Sequence, residues 1–231
     1  GTLSDQSLNT QVDSSGFLAG LVAGEDYLYV GQYFPFNNVF FQMDVTSSGS
    51  SALEVEYWAD QQWRPALDEI DGTKGLKKHG VLQYTPNQDY SWSEVDDTSE
   101  SDAPTELNSV TIYDLYWMRI KASPSLPTNT KIKRMGYAFC GTEDLKVYEP
   151  EIDRYLTAWG GSGKVDWYEQ IMAASELVVR DLKSKDILLD PGQILRFDDV
   201  STATVFKTLS LIYSAFGPAF AERKLEKDRE Y

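Results

Sequence analysis

The feature that most constrains this chain is a change of hydrophobic period near Cys140. Before it, apolar side chains recur at every second residue. Val39, Phe41, Met43 and Val45 alternate with Phe40, Gln42 and Asp44, and Leu53, Val55 and Tyr57 alternate with Glu54, Glu56 and Trp58. Tyr116, Met118 and Ile120 do the same against Trp117, Arg119 and Lys121. Side chains of a strand point alternately to its two faces, so this pattern specifies a half-solvated antiparallel sheet. Beyond Thr142 the spacing turns helical, with Ile171, Ser175, Val178 and Leu182 set for one buried stripe. A chain of 231 residues can bury two modest cores. The expected fold is α+β: an N-terminal antiparallel β-sandwich or jelly-roll-like domain followed by a C-terminal helical domain.

Residues 1–16 are rich in Ser, Asp, Gln and Asn without period, and strand character begins at Tyr27, so residues 1–26 read as an N-terminal arm. The β-domain is then 27–141 and the helical domain 142–231. Asp71-Gly72 supplies turn chemistry, because Gly tolerates positive φ. Between Ser91 and Leu107 lie Glu94, Asp96, Asp97, Glu100, Asp102 and Glu106 with few apolar residues, which predicts an exposed, mobile loop. In the helical part, Thr142 is the expected cap of a first helix, and Pro150 opens a second that carries Ile152, Tyr155 and Leu156. A longer helix is expected from Asp166 to Ser184. After an Asp190-Pro191-Gly192 turn and a short extended piece at 194–197, Asp198 or Asp199 caps a helix through Phe216, with Leu211 in its core. Gly217-Pro218 interrupts it before a charged amphipathic segment from Phe220.

The formal charge of −15 opposes a general DNA-binding role, since counterion-release binding needs clustered Lys and Arg. The basic groups Lys131, Lys133 and Arg134, and Lys74, Lys77 and Lys78, read as solvated strand ends and turns. The single cysteine, Cys140, rules out an intrachain disulfide and reads as a small buried hydrophobe. No apolar run approaches the ~20 residues of a membrane span, and no basic segment leads an apolar stretch at the N-terminus, so a soluble protein is expected.

Catalytic patterns are not found. Gly160-Gly161-Ser162-Gly163-Lys164 lacks the earlier Gly and the following Ser or Thr of a phosphate loop, where Ala158 and Val165 stand, and reads as a helix connector. His79 is the only histidine and sits in a Lys-Lys-His-Gly turn; a Ser–His–Asp triad would have to use it, no Gly-x-Ser-x-Gly elbow is present, and one His with one Cys cannot build a thiolate–imidazole zinc site. The acidic run lacks calcium-loop spacing. No catalytic residue, cofactor or metal ligand is assigned, and the chain reads as non-enzymatic. Trp58, Trp63 and Trp92 have the chemistry to stack on sugars if exposed, although burial in a sandwich core is the commoner fate.

Two stretches resemble known proteins. Glu56 to Trp63, Asp71-Gly72-Thr73, Gly80-Val81-Leu82 and Tyr116-Trp117-Met118-Arg119-Ile120 resemble a β-sandwich module of tailed-bacteriophage virion proteins. Thr142 with Asp144-Leu145, Pro150-Glu151-Ile152, Ala174-Ser175-Glu176-Leu177, Ile187 and Thr208 to Tyr213 resemble the helical head–tail adaptor or connector proteins of the same phages. The resemblance implies a virion protein of the neck, between portal and tail, in the host cytoplasm during assembly. It implies a cyclic homo-oligomer of about twelve copies, or about six, that touches portal, tail or other neck proteins, without tight nucleic-acid binding or a membrane. The candidate assembly contacts are Phe216, Phe220 and Leu225, which the last helix is expected to expose beside charges. The alternative expectation is a carbohydrate- or receptor-binding β-module on a helical oligomerisation stem.

Overall fold

The computed structural model describes residues 17–159, 164–188, 191–194 and 196–231. They divide into two compact units: residues through 37 with 41–135, and 38–40 with 136–231.

In the first region the strands are β1 (Phe17–Leu18), β2 (Leu28–Gln32), β3 (Asn38–Val45), β4 (Ala52–Ala59), β5 (Gln62–Pro65), β6 (Leu67–Asp71), β7 (Gly80–Thr85), β8 (Glu94–Asp97), β9 (Tyr113–Ser123) and β10 (Lys131–Gly136). They form two sheets of order β1-β10-β3-β7-β6 and β2-β9-β4-β5, with β8 paired to β9. Strands β1 to β4 alternate between the sheets, and the first strand lies beside the last. That is the order of a double-Greek-key jelly roll with two strands added. Tyr84 of β7 and Met118 of β9 meet across the sheets, hydroxyl to sulfur, at 3.2 Å. Trp92 fills the space beside them, its ring 5.1 Å from Phe36, 5.3 Å from Tyr57 and 6.2 Å from Tyr84. Offset and tilted aromatic contacts of this kind stabilise the core beyond their buried area.

The expected antiparallel β-region followed by helices is what the chain forms, with several local differences. The sheet is entered ahead of Tyr27: Phe17 pairs with Ile132, and Ala19 donates its N–H to Thr130 O at 2.8 Å. Residues 1–16 of the expected arm lie outside the described residues. Strand β3 is buried on both faces from Asn38 through Met43, because Phe40 is not solvated; its ring meets that of Tyr168 at 5.5 Å. The Asp71 turn extends to Leu76, with the Asp71 carboxylate accepting from Thr73 N, Thr73 Oγ1 and Gly75 N. Gly75 sits at φ +71°, and a Cβ there would lie 2.0 Å from Ser51 O, so only glycine fits.

The largest difference is the acidic segment. Instead of a mobile loop it is strapped to the outer face of the second sheet. Val95, Ala103 and Leu107 pack with Trp58 and Trp117 into one buried cluster, and Tyr29, Trp63, Ile112 and Leu115 pack against it. Thr98 is tied to Ile112 in both directions, through Thr98 N to Ile112 O at 3.1 Å and Ile112 N to Thr98 Oγ1 at 3.0 Å. The carboxylates need not be buried for this, since Asp96, Glu100 and Asp102 stay exposed on the solvent side.

The second region contains α1 (Thr142–Tyr148), α2 (Arg154–Ala158), α3 (Tyr168–Ser184), α4 (Asp198–Ala215) and α5 (Ala221–Glu230), with 3-10 turns at Pro191–Gln193 and Gly217–Phe220. Thr142 is the first residue of α1 rather than its cap. The orphan N–H at that end, on Gly141, donates to Asp144 Oδ2 at 2.7 Å. Pro150 lies in the turn before α2. Helix α3 buries Tyr168, Ile171, Ala174, Ser175 and Val178, close to the expected stripe. Helix α4 buries Val205, Leu209, Ile212 and Tyr213, while Leu211 is half-buried at the margin. Cys140 is fully buried with its Sγ 3.9 Å from Thr208 Oγ1. Burial pushes its thiol pKa up, so it stays protonated and inert. Gly160 to Gly163, Asp190 and Leu195 lie outside the described residues. No described helix is long and apolar enough to cross a membrane.

Candidate functional site

Two surfaces carry chemistry, one in each region. The first surrounds the end of α4. Because Gly217 takes φ +70°, the chain turns after Phe216 and α5 runs back along α4. Phe216 and Phe220 are half-buried in an aromatic cluster. Phe216 lies 5.6 Å from Trp159 and 5.5 Å from Tyr155, while Phe220 stacks on Tyr213 at 5.8 Å and 15°. Polar tips close this cluster: Tyr213 donates to Glu149 Oε2 at 2.5 Å, and Arg223 donates to Tyr155 Oη at 2.7 Å. Burial and the Glu149 carboxylate both raise the Tyr213 pKa, keeping its proton in that bond. Of the three candidate contacts, Phe216 and Phe220 thus spend much of their surface within the chain. Leu225 stands outward at 52% exposure, flanked by Lys224 and Glu226.

The second surface begins with the β4–β5 hairpin. Ala59 pairs with Gln62, leaving Asp60-Gln61 as a two-residue loop with φ of 51° and 56°. Two positive φ values define the type I′ turn that suits strand twist, where Asn-Gly is usual; a residue such as Gln costs about 1 kcal/mol there. The hairpin sets Trp58 directly opposite Trp63. Their rings meet edge-on at 5.2 Å. Beside them is a hollow of about 340 Å³, walled on the hairpin side by Trp58, Trp63, Gln61 and Gln62. The other wall is the strapped acidic segment, which contributes Ser101, Asp102, Ala103, Thr105 and Glu106.

Arg119 braces the hollow from behind. Its guanidinium carbon lies 4.7 Å from the Trp63 ring centroid and 4.2 Å from that of Tyr27, while Nη1 donates to Glu106 Oε1 at 3.1 Å. The site thus joins an aromatic wall to amide, hydroxyl and carboxylate groups held on two anchored segments. Sequence reasoning found the Trp residues but missed Gln61 and Asp102. The available signal was the two-residue Asp60-Gln61 spacer between Tyr-Trp-Ala and Gln-Trp, which lacks the glycine that marks such turns.

The remaining positions considered in the sequence serve structure. Trp92 is half-buried in the sandwich core. His79 Nδ1 accepts the Met43 N–H at 2.9 Å, which ties its turn to β3. Lys164 pairs with Glu169 Oε2 at 2.8 Å and lies 5.2 Å from the Trp159 ring centroid.

No protein-family model, curated protein or solved structure matches this chain.

Proposed function

We propose that this chain is a structural component of a tailed-phage virion, one copy in a ring that forms part of the neck or head–tail connector between portal and tail. The observation that carries the reading is the outward Leu225 on α5, closing a helical unit that follows a jelly roll with a core of its own. An apolar side chain amid charges on a docked helix suits heterologous contact between copies, and closed rings multiply such weak contacts. The charge of −15 also suits a channel that DNA passes without being held. The resemblance of the helical segments to head–tail adaptors supplies the location. Native mass spectrometry of the full chain tests the assembly: it should give a closed oligomer of about twelve or about six copies, and Leu225→Glu should shift it to monomer while the fold survives. A monomer at the highest soluble concentration, or a ring indifferent to Leu225→Glu, would oppose the reading.

A further inference from the structure

We infer that the hollow between the Trp58–Trp63 hairpin and the acidic strap is a binding site for a neutral, gluco-configured oligosaccharide. The inference stands on the first region alone and does not depend on the assembly role. A pyranose whose ring hydroxyls are all equatorial has two apolar faces and a polar rim. The half-buried Trp63 offers an indole to the ring face, with Trp58, 7% exposed, packed edge-on against it, and around it stand the amides of Gln61 and Gln62 and the carboxylate of Asp102. The hollow is shallow, of about 340 Å³ and open on its outer side, a form that suits an extended chain and not an enclosed small ligand. Charge selects against anionic sugars, because Asp102 and Glu106 line the rim and Arg119 is already engaged by Glu56 and Glu106.

Both walls present these groups on anchored backbone. The hairpin holds a glutamine at a positive φ where glycine would be relaxed, and that glutamine lines the hollow. The acidic strap, anchored by Ala103 and Leu107, turns Ser101, Asp102 and Thr105 to the same hollow.

The test uses the full chain titrated separately with cellohexaose, maltohexaose and chitin hexasaccharide, followed by calorimetry and tryptophan fluorescence. At least one should bind with a dissociation constant in the micromolar to low millimolar range, with a change in indole emission. Gln61→Gly and Asp102→Ala, both at exposed positions, should each weaken that binding at least fivefold. Gln61→Gly should at the same time raise the melting temperature by relaxing the turn, so stability and affinity move in opposite directions. Failure of all three sugars to bind overturns the inference. So does binding that neither substitution alters, which would place the sugar elsewhere.

Discussion

Arg119 on β9 donates from Nε to Glu56 Oε2 on β4 at 2.6 Å, with the two side chains only 13% and 17% exposed. The two residues are direct cross-strand partners in the register. The pair is completed by Glu106 from the acidic strap and by Lys121, which reaches Glu56 Oε1 at 3.5 Å. Removing Arg119 leaves Glu56 and Glu106 near one another with one cation fewer. Arg119→Met should therefore destabilise the chain by about 2–4 kcal/mol in urea titration. Arg119→Lys should recover only part of this, because an ammonium cannot span both carboxylates in the guanidinium's planar geometry.

The strap is held by apolar contacts and not by its charges. Leu107→Ala should cost about 3 kcal/mol, from lost burial and the cavity left beside Trp117. Replacing Asp96 and Glu100 by Asn and Gln should stay within about 0.5 kcal/mol, as exposed carboxylates do. Hydrogen exchange should show the bonded amides of Thr98, Ala103, Leu107 and Ile112 protected in the parent chain and accelerated in Leu107→Ala. Fast exchange there in the parent would contradict the packing.

Helix α4 offers a comparison between neighbours. Leu209 is fully buried, whereas Leu211 is at the margin. Leu209→Ala should cost about 3 kcal/mol and Leu211→Ala about 1 kcal/mol, read as shifts of the denaturation midpoint. Equal costs would mean that the helix is rotated about its axis.

The docking of α5 should depend on acid. Burial works against the charge of Asp228, but Lys224 and Ser210, each at 2.5 Å, and Lys207 outweigh it and hold its pKa below the ordinary 3.8. A carboxyl with a depressed folded pKa contributes stability that is complete above its unfolded value and is lost as pH falls through its folded value. The α5 contacts should hold from neutrality to about pH 4 and loosen below it. Nuclear magnetic resonance of the Ser210 and Asp228 signals would follow this, and Asp228→Asn should remove the dependence.

What could be read in advance was whatever repeats locally. The alternation of Leu53, Val55 and Tyr57, and the spacing of Ile171, Ser175 and Val178, carry their faces in the sequence because strand and helix periods are fixed by the backbone. Val95, Ala103 and Leu107 have no period, and six carboxylates hide them; their burial is decided by Trp58 and Trp117, distant in sequence. Leu211 was misjudged because α4 is apolar or hydroxyl-bearing around most of its circumference, with Thr204 and Thr208 bonding back to Val200 O and Thr204 O. Hydroxyls satisfied in that way pass for core, so polarity does not mark the outer face. The hollow depended on both kinds of information, since Trp63 was visible and its opposing wall was not.

The measurement that bears most directly on the assembly role is electron microscopy of the virion with this chain carrying a compact label. The account predicts label density in a closed collar at the head–tail junction. Density confined to the capsid surface or to the distal tail, or particles without any label, would contradict it.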